Sequence, residues 1–332
     1  MILPKKREGL LMETVDKKNE ASMFDVFGDE FDRFDFPPDI YRVTAGNGGE
    51  ALLIDGGEKT ALLDCGMAYC GEQMIVNLRA RLSELKRDTL DYVLLSHSHY
   101  DHIGALPYVV REFPDVTVCG SEHCSSILGR PNARTLIREL GITARELYAP
   151  GSTTDIPVDG LRVDRILKDG DVIDLGEAKI VSLETKGHTD CSMSFLLEPL
   201  SLLFASESLG IIEAPDYVYA PILKSFDDAL ISMRKCVDYA PKHICLAHFG
   251  MLPDDFTDKY WKMFEESCLD VLDFVRDMKS RGLSPDEMTQ KYIDKYWILE
   301  TEAEHPMEAY EINTRAVIKA ALKAIDMPRL HA

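Results

Sequence analysis

The eight cysteines contain no Cys-x-x-Cys pair, which removes the zinc ribbon and the thioredoxin-type redox motif. Reduced, mostly buried thiols are the expectation for such a chain. No run approaches the roughly 20 consecutive apolar residues that a membrane helix needs. The start, Met1 to Leu11, carries Lys5, Lys6 and Arg7 but lacks an apolar segment of signal-peptide length, so a cytoplasmic location is expected. Positive charge is scarce: 37 Lys and Arg stand against 57 Asp and Glu, for a net charge of −20. That balance opposes sequence-independent nucleic-acid binding, which depends on neutralising phosphates, and a general basic membrane-binding surface. The glycines of Ala45-Gly46-Asn47-Gly48-Gly49 open a strand pattern rather than a helix, which excludes a phosphate-cradling loop.

What is present is an ordinary globular composition, 45% hydrophobic and 28% charged over 332 residues, enough for a substantial core. Residues 1–38 read as an N-terminal extension closed by Pro37-Pro38. Phe24, Phe27, Phe31 and Phe34 are spaced three or four apart, as on one helix face, and predict docking on the body or on a second subunit. Residues 39–253 read as two halves, each running strands, helix, strand. The first has strands at 40–43, 50–54, 60–64, 90–95 and 116–119, with helices at 73–85, 103–113, 123–128 and 133–140. The second has strands at 161–163, 171–173, 179–183, 194–197, 202–204 and 243–246, with a helix at 227–239. This order predicts an α/β protein, two mixed sheets packed face to face with helices outside. Residues 254–332 turn helical (255–281, 284–296 and 304–325) and read equally as a cap or as the surface of a homodimer.

Ser96-His97-Ser98-His99-Tyr100-Asp101-His102 ends the apolar run Leu90 to Leu95. His97 and His99, two apart on an extended segment, project to one face. Asp101 and His102 follow where the chain turns toward a helix, and can reach a second point nearby. Ligands spread over two points about 3.5–4 Å apart suit a two-metal hydrolytic site. Further candidates occupy turns after apolar strands: His188 in Gly187-His188-Thr189, Glu207 after Leu202 to Ser206, and His248 before Phe249-Gly250. Such rim positions on a sheet scaffold are where binding groups sit. Tyr100, His123, Tyr217 and Tyr219 are candidates to line the pocket or donate a proton, with the 213–223 loop as a wall. His243, His305 and His331 read as structural or solvated.

His97-x-His99-x-Asp101-His102, then Gly187-His188, a carboxylate at 207 and His248 resemble the metallo-β-lactamase superfamily, from about Ile40 to Gly250 and including Leu63-Asp64-Cys65-Gly66. The resemblance implies an αββα sandwich with a dinuclear site on its edge. One divalent ion would take His97, His99 and His188, the other Asp101, His102 and His248, with Glu207 bridging where the family usually has Asp in a Gly-Asp pair. Zinc, iron or manganese would suit these donors. Within the superfamily, the stretches His97 to Tyr108 and Phe204 to Gly210 look closest to the quinolone-signal response type of acyl-CoA thioesterase. The activity implied is hydrolysis of an ester-like bond, preferably a thioester, in a small acyl substrate by metal-bound hydroxide, with Asp101 orienting the nucleophile. Two other readings stand beside it: a regulatory or partner-binding protein that retains the metal fold, and a diiron redox protein.

Overall fold

The computed structural model describes residues 26–28, 31–297 and 307–326; Phe24, His305 and His331 fall outside them. Strands β1 (Ile40–Arg42), β2 (Leu52–Asp55), β3 (Thr60–Leu63), β4 (Tyr92–Leu94), β5 (Thr117–Gly120) and β6 (Arg165–Ile166) form one six-stranded sheet in chain order. Pairing is antiparallel from β1 to β3 and parallel from β3 to β6. The chain continues through β7 (Val172–Asp174), β8 (Lys179–Glu184), β9 (Met193–Glu198) and β10 (Leu202–Ala205). A separate hairpin, β11 (Ile211–Ala214) and β12 (Tyr217–Tyr219), precedes β13 (His243–Leu246) and β14 (Gly250–Met251). The second six-stranded sheet has the order β14-β13-β10-β9-β8-β7, with β10 and β13 its parallel pair.

Side chains alternate across a strand, and these strands are apolar on both faces. Leu52, Ile54 and Leu94 point between the sheets, where they meet Phe195, Leu197 and Phe204. Leu53, Leu62 and Val93 point outward onto Met74, Leu78 and Leu82 of α1 (Gly71–Glu84). On the other side Leu196, Leu203 and Ile244 meet Phe226, Leu230 and Met233 of α6 (Phe226–Asp238). Burial on both faces explains why the strands read as continuous apolar runs. The result is a four-layer α/β/β/α sandwich. Helices α7 (Thr257–Ser280), α8 (Pro285–Tyr296) and α9 (Met307–Asp326) add to the same apolar cluster as α6.

Several local expectations change. The helix expected over 103–113 is two pieces, α2 (Tyr100–Ile103) and α3 (Leu106–Glu112). Gly104 lies against the backbone of Tyr100 and Ala68, and Pro107 starts the second piece, where its missing N–H costs nothing. The helix expected to stop at Leu140 continues as α5 (Pro131–Tyr148), because Gly141 leaves room for Ile156. No strand forms over 161–163. Arg162 is drawn to Asp164 and the Val116 carbonyl, and pairing with β5 begins at Arg165. The 213–223 wall is largely the β11–β12 hairpin rather than a loop. Around the extension's phenylalanines the described residues form turns, not a helix; the Phe27 ring packs edge-on to Phe249 and Phe256.

Candidate metal centre

Strand direction brings the chemistry to one edge. The parallel pair β10 and β13 end together, so the residues after them, Glu207 and His248, emerge side by side. Parallel β3 and β4 do the same for Asp64 and Ser96. His97 and His99 follow Ser96, Asp101 and His102 lie on α2, and His188 sits in the turn between β8 and β9.

Seven side chains converge in two sets: His97, His99, His188 and Glu207, and Asp101, His102 and His248. Glu207 Oε2 lies 3.0 Å from His97 Nε2 and 3.0 Å from His188 Nε2. His188 Nε2 is 3.0 Å from His99 Nδ1. In the second set His102 Nε2 and His248 Nε2 are 3.1 Å apart, with Asp101 Oδ2 at 3.6 and 3.5 Å from them. Glu207 touches this set as well, through Oε2 to His102 Nε2 and Oε1 to His248 Nε2, both at 3.5 Å. Its carboxylate therefore spans the two sets.

Three of the five rings are oriented from behind. Asp64 Oδ2 accepts from His102 Nδ1 at 2.9 Å and from Ser96 Oγ at 2.5 Å, while Oδ1 accepts from the Ser96 amide. With its proton given to Asp64, Ser96 Oγ accepts from His97 Nδ1 at 3.0 Å. His188 Nδ1 donates to the Pro221 carbonyl at 2.6 Å. These bonds leave Nε2 of all three rings facing inward, the arrangement metal-ligating histidines adopt. Gly49 is required beside His102: a Cβ there would lie 2.4 Å from His102 Nδ1. None of Asp64, Ser96, Gly49 or the Pro221 carbonyl was singled out as a site group by sequence. Asp64-Cys65-Gly66 at the strand end was the one visible signal.

The donors fit a cation better than they fit one another. His97 Nε2 and Glu207 Oε2 are buried and make no hydrogen bond despite their proximity, a costly arrangement for polar atoms. Donors about 2.0–2.2 Å from a shared tetrahedral ion sit roughly 3.3 Å from each other, close to the separations here. Burial, then the nearby His102 and His99, holds the His97 ring well below its ordinary pKa. Burial and His188 bring His99 down to about 4. Both rings are neutral at pH 7, as ligands must be. Burial alone would push Glu207 up, but His188, with the imidazoles of His102 and His248 around it, pulls it well below the usual carboxylate range.

His97 and His188 are enclosed, whereas Asp101 and His248 keep 18% and 21% of their side-chain surface, so approach is from the Asp101–His248 side. Tyr100 is half-buried beside Asp101. Its hydroxyl pKa is raised by burial first, then by Asp101, Tyr148 and Glu207. His123 lies exposed on α4 (Glu122–Leu128) and is not among the converging residues. Tyr217 and Tyr219 sit on β12 within the C-terminal aromatic cluster rather than at the open edge. His243 pairs with Asp254 at 2.6 Å. All eight cysteines are free thiols, and all but Cys70 are buried.

Residues 45–248 match the family model described as the metallo-beta-lactamase superfamily. Among curated relatives, the metallo-beta-lactamase fold-containing protein ST1585 of Sulfurisphaera tokodaii is 23% identical over 58% of this chain and 75% of its own length. The atrochrysone carboxyl ACP thioesterase of Aspergillus fumigatus is 26% identical over 52% of this chain and 53% of its own. Most of the curated relatives are matched over about half their length or less. The crystal structure of the metallo-beta-lactamase family protein TTHA1429 from Thermus thermophilus shares the fold, with a TM-score of 0.58 at 18% identity over 86% of this chain and 94% of that one.

Proposed function

The chain belongs to the metallo-β-lactamase superfamily, and on that premise we propose that it is a dinuclear metal-dependent hydrolase of an acyl thioester. The observation that carries this reading is Glu207, whose two carboxylate oxygens reach both histidine sets from a buried position. His97, His99 and His188 would hold one divalent ion, and Asp101, His102 and His248 the other. Divalent ions there would supply a nucleophile from water at neutral pH and polarise an acyl carbonyl.

The chain's own residues do the rest. Asp64, Ser96 and the Pro221 carbonyl keep three imidazoles in a fixed tautomer, so the donors are set before substrate arrives. Asp101, at the open edge, is placed to accept a hydrogen bond from the attacking water and to carry its proton away. A thiolate leaving group has an intrinsic pKa near 8.5 and leaves without a dedicated acid. That suits an edge where the hydroxyl of Tyr100, the residue before Asp101, has its pKa pushed up by burial. The similarity to a carboxyl ACP thioesterase supports the same bond type.

The test is a panel of acyl thioesters and oxygen esters with metal-replete protein, against the His97→Ala/His99→Ala variant. Thioester turnover that the variant lacks is the expected result. Equal rates in both proteins would sink the reading.

A further inference from the structure

Behind the first ligand set lies a closed ring of three buried hydroxyls. Strands β8, β9 and β10 are neighbours in the second sheet. Thr185 directly follows β8, Ser194 lies on β9, and Ser206 directly follows β10. Thr185 Oγ1 is 2.9 Å from Ser194 Oγ and 2.9 Å from Ser206 Oγ, and Ser194 Oγ donates to Ser206 Oγ at 3.3 Å. The Ser206 amide also donates to Ser194 Oγ, at 3.0 Å. All three side chains are buried. With Ser194 donating to Ser206, Ser206 donates to Thr185 and Thr185 to Ser194, so every hydroxyl both gives its proton and accepts one.

Backbone pairing already holds these strands together, and apolar side chains of the same size would fill the same space. What the ring adds is a fixed distance between two strand ends that carry ligands. Ser206 immediately precedes Glu207, and Thr185 stands three residues before His188. The turn that bears His188 is itself closed. The Thr185 amide donates to the Ser192 carbonyl at 3.0 Å, and Ser192 Oγ lies 2.7 Å from Thr189 Oγ1 while accepting from the Thr189 amide at 3.3 Å. His188 therefore moves with Thr185. A second tie joins the same two segments: the His188 amide donates to Ser208 Oγ at 2.9 Å, and Ser208 directly follows Glu207. The two ties set the 3.0 Å separation of His188 Nε2 from Glu207 Oε2. Metal–donor distances tolerate only about 0.2 Å, so whatever fixes that separation bears directly on ion binding.

We propose that the Thr185–Ser194–Ser206 ring is a positioning element for the first ligand set, locking His188 and Glu207 at the spacing that one divalent ion requires. The three hydroxyls act through the strand ends rather than as ligands. The test reads metal binding alone. Intact protein is freed of metal, titrated with cobalt(II) and followed by the visible absorption of the bound ion, with affinities taken from competition against a chelator. Thr185→Val removes the hydroxyl and keeps the shape, whereas Thr185→Ser keeps the hydroxyl and drops the methyl group.

Thr185→Val should bind one of two cobalt ions about 10–100-fold more weakly than the wild type, with an altered absorption spectrum, and hold the other unchanged. Thr185→Ser should restore both affinity and spectrum. Ser194→Ala breaks the ring from another strand and should match Thr185→Val, so a valine variant that fails to fold leaves the test in force. A folded Thr185→Val or Ser194→Ala that is less resistant to urea, yet has wild-type cobalt affinity and spectrum, would overturn the proposal and leave a ring that only stabilises the sheet. An equal loss in Thr185→Ser would assign the effect to the methyl group and overturn it as well. Because turnover is not read, wild-type protein that binds cobalt without hydrolysing thioesters would sink the hydrolase reading and leave the positioning role standing.

Discussion

The Asp64 carboxylate lies 2.9 Å from His102 Nδ1 and, through Ser96, also fixes His97 in the other ligand set. One buried acid thus orients a donor in each half of the centre. Asp64→Asn keeps the size but replaces one acceptor oxygen with a donor, so it cannot satisfy both His102 and Ser96. Loss of an outer partner of this kind costs about 10–100-fold in metal affinity. Competition against a chelator of known affinity should show that weakening, with the fold retained by circular dichroism. Wild-type affinity in Asp64→Asn would remove the positioning role.

Glu207 offers a second test. Its contacts to His97 and His188 at 3.0 Å and to His102 and His248 at 3.5 Å need the full length of the side chain. Glu207→Asp withdraws the carboxylate by about one C–C bond, roughly 1.5 Å, which is enough to leave one set without it. Elemental analysis should find bound metal reduced by about half relative to the wild type. Full metal content in Glu207→Asp would show that the length of Glu207 is not what spans the sets.

The centre was legible because its chemistry is written in rare residue types at strand ends. His97, His99, Asp101 and His102 share one short segment, and His188, Glu207 and His248 each follow an apolar run. The supports were not legible, for different reasons. The Pro221 carbonyl is backbone and has no residue signature, and Asp64 is one of many acids until β3 and β4 pair. The same apolar runs announced most of the sandwich. They failed where packing overrides local pattern, as in the passage of α5 through Gly141 to make room for Ile156. The contact of Tyr219 with Tyr310 joins residues some ninety positions apart, and only the docking of α9 on the hairpin reveals it.

Gly49 tests how tightly the second set is held. An added methyl at this position would fall 2.4 Å from His102 Nδ1 and 2.5 Å from Cε1, inside the Asp64 hydrogen bond. Because the Asp64 side chain holds the ring from the same side, His102 can yield only by giving up that bond. Gly49→Ala should lose most of the metal held by Asp101, His102 and His248 and cost about 1–3 kcal/mol, as overpacking does. Elemental analysis and urea unfolding together check it. A stable variant with full metal content would mean that the Gly49 backbone moves aside at little cost.

Proton exchange on metal loading gives the last test. In ion-free protein His102, His188 and His248 have raised pKa values: burial opposes their protonation, but Asp101 and Asp64 for His102, and Glu207 for the other two, outweigh it. Their protonation stabilises the folded ion-free chain below the ordinary histidine range and fades as pH rises through the raised values. His99, depressed to about 4, acts in the opposite sense: the unfolded chain binds its proton more readily, so stability falls as pH drops from about 6.5 toward 4. Metal ions must displace the protons held on the raised group, while His97 and His99 are already free to bind. Zinc titrations at pH 7 in two buffers of different ionisation enthalpy should therefore report net proton release, and chelator-measured affinity should fall when the pH is lowered to 6. Buffer-independent heats with an unchanged affinity at the lower pH would show that these imidazoles do not exchange their protons for metal.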